Sequence, residues 1–389
     1  MTSNQLPSKD PSIAEYSDSM TDYQQAGEQR LSEIGNRGPV ILDADGKLDQ
    51  TILDAYWKQG FYIFEGVISA NEVAELRAGV NEILEKAPRH PGATEDAQGR
   101  PAFGQRFKRN PFIFIKPLSD PWGGTKILNG RHPSKMREPK PADDAPEDVV
   151  HLIGSMCQCM EAGLRVYGHP HLLTIAEAIN GSDFVPYNDV VFVKKPGLGG
   201  SVSWHQDGVT HWESPVWDEG IHGFNFQVQL YPCTPGNCLW VIPGTHKQGK
   251  IDILSVIEEN GGSEQLPEAV PLTCQAGDVT IVNRQALHGS FANASPDPRI
   301  SLTFGFHRRK SILGEHGALS QSAEEIYDEQ RIFDRSTVIP LAIDARQQYY
   351  PGEAKFDYQP FAGLEDDYRW DPNKFDELLL DYNLKDLSI

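Results

Sequence analysis

The chain has 389 residues, 39% of them hydrophobic, with 35 Gly, 28 Pro and a formal net charge of −20. That length holds one large domain or two ordinary ones, and the abundance of turn-forming residues argues against a helical bundle. The negative field repels phosphate backbones and anionic membrane surfaces, so nucleic acid is excluded as an expected partner.

Five cysteines, two of them spaced as Cys157 and Cys159, form neither a disulfide framework nor a zinc knuckle. Free thiols fit a reducing compartment, and no apolar run reads as a signal peptide or a membrane span. The expectation is a soluble, cytoplasmic protein.

In chain order, residues 1–35 are polar with few apolar anchors and read as a flexible N-terminal arm. Order begins with Leu48, Ile52, Leu53 and Tyr56 at helical spacing, then "FYIFEGV" as a strand. Ser69 and Glu72 next form a capping-box pattern before a helix carrying Val73, Leu76, Val80 and Leu84. Residues 88–145 are dense in Pro, Gly and charge, and read as long loops around a short strand, "PFIFIKPL". Loops of that length tend to serve function, a substrate lid among the options. A helical run is expected over "EDVVHLIGSMCQCMEAGLRVYG" and again over "PHLLTIAEAIN".

From residue 184 the texture changes to evenly spaced short strands separated by turn signals, among them "SVSWHQD", "FNFQVQLYPC" and "RISLTFGFHRR". This pattern argues for an antiparallel sandwich or barrel. The expected organisation is a mainly β domain with flanking helices over 36–310, followed by a charged helical extension over 311–389. That extension either closes over a pocket or makes a homodimer contact.

The chemistry concentrates in "VSWHQDGVTHW", where His205 and Asp207 are two apart and would face one side of a strand. Alone, a His-x-Asp pair is weak, because a hydrogen-bonded surface pair looks the same. His288 heads a later strand-like segment just after "GDVTIVN", and Arg299 with Ser301 follows on an alternating strand. Two imidazoles and one carboxylate on one face suit a non-haem Fe(II) centre with open positions. A guanidinium fork with a nearby hydroxyl suits a carboxylate.

Together, His205-x-Asp207, "CLWVIPGTHKQG" at 238–249, "GDV" at 277–279, His288 and Arg299-x-Ser301 resemble the phytanoyl-CoA dioxygenase family. "FYIFEGVISANEVAEL" is similar to that family's N-terminal strand–helix element, and the resemblance spans roughly residues 50–310. It implies a double-stranded β-helix (jelly-roll, cupin-like) core and a dioxygenase using Fe(II), 2-oxoglutarate and O₂ on a small-molecule substrate, releasing succinate and CO₂. It further implies that His205, Asp207 and His288 bind iron, and that Arg299 clamps the distal carboxylate of 2-oxoglutarate with help from Ser301. Several relatives have a tryptophan where this chain has Phe226, so no co-substrate contact is assigned there. Which of Gln227 and Gln229 faces the site stays open. Because Asp207 is neither Ala nor Gly, no ligand position is vacated for halide, and hydroxylation or a related oxidation is favoured over halogenation. The competing readings are a non-redox cupin-type hydrolase or isomerase and a metabolite-binding module.

Other residues read as ordinary structure. His211 and His222 are expected in loops, and His246 is expected to be structural. Trp204, Trp212, Trp217 and Trp240 are divided between pocket wall and core. The basic runs 106–110 and 307–310 fit either an anionic substrate or a salt-bridged surface.

Overall fold

The computed structural model describes residues 11–317, 325–383 and 389. Its strands are β1 (Arg37–Gly38), β2 (Phe61–Phe64), β3 (Phe112–Ile115), β4 (Val149–Gly154), β5 (Val185–Lys194), β6 (Val202–His205), β7 (Phe224–Gln229), β8 (Trp240–Val241), β9 (Val270–Pro271), β10 (Val279–Asn283), β11 (His288–Ser290) and β12 (Arg299–His307). Eight of them form a major sheet in the order β1-β2-β10-β7-β12-β5-β4-β3, and four form a minor sheet in the order β6-β11-β8-β9. All neighbours are antiparallel except β1 and β2. Two such sheets facing one another make the antiparallel sandwich that the strand spacing implies, and they fit the jelly-roll core that the family resemblance implies.

The central strands of the major sheet alternate strictly. On β7 and β12 the outward residues Phe226, Val228, Leu302 and Phe304 are fully buried in the larger apolar cluster. That cluster also takes Val73, Leu76 and Val80 from the helix Ala70–Glu85, whose Ser69 side chain accepts the Glu72 backbone N–H as expected of a cap. The inward residues of the same strands are polar, and they face the minor sheet.

Three expectations need correction. Residues 1–10 lie outside the described residues, but most of the remaining expected flexible arm is a helix, α1, spanning Ile13–Ile34. Ser12 and Glu15 close a reciprocal capping box at its start, a signal the polar composition concealed. Tyr16, Met20 and Leu31 then bury one face against the minor sheet, where Tyr23 stacks on Trp240 at 4.7 Å. Gly27 permits that approach, since a Cβ there would lie 2.7 Å from the Trp240 ring.

The second correction concerns "VVHLIG" at 149–154, which is strand β4 and not the start of a helix. Its β-branched residues fill a place between β3 and β5, and tertiary pairing decides the state. The helices begin only afterwards, at Met156–Cys159 and Glu161–Tyr167.

The third concerns the pair His205 and Asp207, expected side by side on one strand. Strand β6 ends at His205, and Asp207 lies in the bend beyond it, its N–H donated to the Arg284 carbonyl at 2.8 Å.

Beyond residue 311 the helices Glu329–Ser336 and Val338–Tyr349 pack on the same core through Ile339, Leu341 and Ala342. Pro340 sits in the first turn of the second helix, where no N–H is needed. Arg335 Nη2 donates to the Tyr187 carbonyl, fixing this extension behind β5. Within the expected helical extension, residues 318–324 lie outside the described residues. Near the end of the extension the described residues form a 3-10 turn, Pro372–Lys374, and the short helix Phe375–Leu379.

Candidate metal centre

The two histidines meet because β6 and β11 pair antiparallel with His288 directly opposite His205. Their ring centroids lie 4.1 Å apart. The bend after β6 turns Asp207 back toward both, with Oδ1 3.6 Å from His205 Nε2 and Oδ2 3.7 Å from His288 Nε2. One ligand atom from each of the three residues falls within 4.8 Å of the others. Among the described residues they are the group of three or more such side chains that could hold a metal.

The hydrogen bonds around the rings fix which nitrogen is available. His205 Nδ1 is 2.8 Å from the Ser203 carbonyl, and His288 Nδ1 is 2.8 Å from the Ala286 carbonyl. A carbonyl only accepts, so each Nδ1 carries the proton and each Nε2 presents its lone pair toward Asp207. Burial, followed by the neighbouring His205, pushes the His288 pKa down to about 4, so its imidazole is neutral near pH 7. Burial alone would raise the Asp207 carboxyl, but the Arg131 guanidinium and the two histidines outweigh it and hold it well below the usual carboxylate range. Asn225 Nδ2 donates to Asp207 Oδ2 at 2.9 Å and fixes its second oxygen. Gly305 makes room for that amide, since a Cβ there would fall 2.2 Å from Asn225 Oδ1.

A cavity of about 260 Å³ is lined in part by the three residues. Arg299 and Thr303 project from β12 into this cavity; Ser301 shares their face of the strand by alternation but is fully buried and does not itself line the cavity. Arg299 is 2% exposed, its Nη2 donates to Gln227 Oε1 at 2.6 Å, and its Nε has no partner. Ser301 Oγ is likewise buried without a partner. Orphaned buried donors beside a cavity mark a place where a ligand completes the hydrogen bonding. Gln227 therefore faces the site, while Phe226 is wholly buried on the opposite side of the sheet against Phe304. Gln229 Oε1 is buried without a partner, and the side chain does not line the cavity.

Several lining residues were not singled out by the sequence. Trp122, Leu128, Arg131 and His132 come from the loop-rich segment 88–145. His132 packs 4.1 Å from the His205 ring, and Trp122 lies behind it at 5.8 Å. The length of that loop segment was the sole signal. None of the described residues beyond Thr303 lines the cavity.

The remaining candidates resolve as structure. His246 Nε2 bonds the Trp57 carbonyl, and His222 Nε2 bonds the Thr210 carbonyl. His211 lies 3.6 Å from Glu315. Trp204 and Trp240 are fully buried in the core, and Trp212 lines a separate outer cleft. The basic runs are salt-bridged, Arg106 to Asp376, Arg308 to Asp218 and Arg309 to Glu329.

The model of the phytanoyl-CoA dioxygenase family matches residues 56–301 of this chain. Phytanoyl-CoA dioxygenase 1 of Oryza sativa subsp. japonica is 33% identical over 117 residues, covering 28% of this chain and 40% of the rice protein. Ectoine dioxygenase of Halomonas elongata is 24% identical over 321 residues, covering 75% of this chain and 82% of that protein. The crystal structure of EctD from S. alaskensis with 2-oxoglutarate and 5-hydroxyectoine is 19% identical, covers 71% of this chain and 82% of that chain, and gives a TM-score of 0.46. The match thus spans less than half of the rice relative and most of the ectoine dioxygenase. No helix among the described residues is long and apolar enough to cross a membrane. Since the family match alone covers more than half of the chain, this protein belongs to the phytanoyl-CoA dioxygenase family of 2-oxoglutarate-dependent non-haem iron dioxygenases.

Proposed function

We propose that His205, Asp207 and His288 hold Fe(II), and that Arg299 and Ser301 hold the distal carboxylate of 2-oxoglutarate, for oxidation of a C–H bond of a small molecule. The observation that carries this is the convergence of two Nε2 lone pairs and one carboxylate within 4.8 Å, beside a buried guanidinium whose Nε lacks a partner. Three ligands from one side leave the remaining metal positions open to a bidentate co-substrate and O₂. Iron and 2-oxoglutarate, when bound, supply the oxidising power for an unactivated C–H bond, with succinate and CO₂ as co-products.

The chain's own residues supply the rest. The Ser203 and Ala286 carbonyls keep both imidazoles in the ligating tautomer. Asn225 orients the carboxylate, and Gln227 steers the Arg299 fork. Leu128, Leu152 and Phe192 add apolar surface to the cavity lining, which would help shield the reacting bond from water. Five unpaired, buried cysteines support a reducing, cytoplasmic setting.

Anaerobic addition of Fe(II) and 2-oxoglutarate to the apo-protein tests the assignment. A visible metal-to-ligand charge-transfer band that needs both components is expected. A folded protein giving no band would favour a non-redox metal site of the cupin kind.

A further inference from the structure

Segment 128–133 forms the partition between the iron-side cavity and an outer cleft of about 670 Å³. Leu128 and His132 face the inner space, Asn129, Gly130 and Pro133 face the outer one, and Arg131 lines both. Three successive residues hold this turn in the left-handed region, with φ of 52° at Leu128, 59° at Asn129 and 69° at Gly130. Residues with a Cβ avoid that conformation, and its persistence at a cavity wall points to a positional demand.

The demand falls on Arg131. Its Nη1 donates to the Asp207 carbonyl at 3.2 Å and lies 3.3 Å from Asp207 Oδ1, while its Nε is buried without a partner. The charged side chains lining the inner cavity are Arg131, Asp207 and Arg299. Fe(II) and the 2-oxoglutarate dianion cancel in charge, and so do Asp207 and Arg299. The balance leaves one positive charge over, and Arg131, which meets Asp207 through Nη1, keeps a buried Nε–H with no acceptor, a donor that a further anionic partner would satisfy.

We infer that Arg131 receives an anionic group of the substrate, so that the enzyme acts on a small organic anion such as a carboxylate. This rests on the oxygenase reading above. The inner cavity of about 260 Å³ is below the usual ~300–1,000 Å³ of a single-ligand pocket, yet it must take the co-substrate and the reacting end of the substrate. The remainder of the substrate extends past Arg131 into the outer cleft. That cleft carries Glu213, Lys250 and Asp252, so the anionic group belongs on the inner side of Arg131, where no further acid lies. A chain of net charge −20 repels anions at a distance, and a guanidinium at the neck supplies the local attraction.

Propionate and propionamide differ in charge at nearly the same shape, and both are small enough for the cavity. Each is titrated into the anaerobic Fe(II)–2-oxoglutarate complex, following the charge-transfer band and the melting temperature. Propionate is expected to bind about tenfold more tightly, to shift the band without bleaching it, and to lose this preference in Arg131→Gln. Equal binding of the two probes, or a preference that survives in Arg131→Gln, overturns the assignment. Bleaching by propionate also overturns it, because the anion has then displaced the co-substrate at Arg299. Should Arg131→Gln lose the band through its contact with Asp207, Arg131→Lys keeps the charge. A weaker preference must survive there, and its absence counts against the inference. No band in the wild-type protein removes the oxygenase reading itself.

Discussion

The two faces of β7 and β12 are built from alternating residues of the same strands, yet they do opposite work. Outward, Phe226, Val228, Leu302 and Phe304 bind the sheet to its helices. Inward, Asn225, Gln227, Arg299 and Thr303 present polar atoms to a cavity, several of them without partners. A period of two lets one stretch of sequence carry stability on even positions and chemistry on odd ones, so the two can be broken separately.

The largest separation is expected from His288→Ala. It should abolish both the charge-transfer band and succinate formation while leaving a cooperative thermal transition, and a normal band in this variant would sink the ligand assignment. On the other face, Phe304→Ala removes a ring 5.5 Å from that of Phe226 and should cost about 3–5 kcal/mol in chemical denaturation. Its band should persist wherever the protein remains folded. Loss of the band before unfolding would show that the faces are coupled.

Arg299→Gln should be milder. A charge-assisted hydrogen bond contributes about 1.5–3 kcal/mol, so 2-oxoglutarate affinity should fall roughly ten- to hundredfold with Fe(II) binding retained. An unchanged affinity would remove Arg299 from the co-substrate site.

The acid limb of stability in the apo-protein tests the buried imidazoles of both regions without any substitution. Burial pushes His151 down to about 3, and His246 and His288 to about 4, below the unfolded value near 6.5. Between pH 6.5 and 4 the unfolded chain binds more protons, so stability should fall as the pH drops through that window and level off above it. A melting temperature that is constant across the window would contradict the neutral, buried state of these imidazoles.

The contrast between the faces also explains what the sequence discloses. Alternation is local, so β5, β7, β10 and β12 were legible, and with them Arg299 and Ser301. His205, Asp207 and His288 were legible as a motif, although their convergence depends on β6 pairing with β11, a long-range fact. The side of Gln227 could not be read, because a polar residue flanked by apolar ones gives no direction until a second sheet covers one face. Arg131 and His132 were hidden in a loop without periodicity, and their position depends on left-handed turns that no residue pattern announces. The strand at Val149–Gly154 was misread because a short apolar run fits helix and strand alike, and its neighbours β3 and β5 decide.

The direct opposition of His205 and His288 across β6 and β11 has a mechanical side. A metal held by both rings is a cross-link between two strands far apart in the chain, closing a long loop as a disulfide would but reversibly. Metal loading should therefore slow amide hydrogen exchange along the β6–β11 seam and raise the force needed to pull those strands apart. Iron supply would then set the stiffness of the minor sheet as well as the readiness of the catalyst.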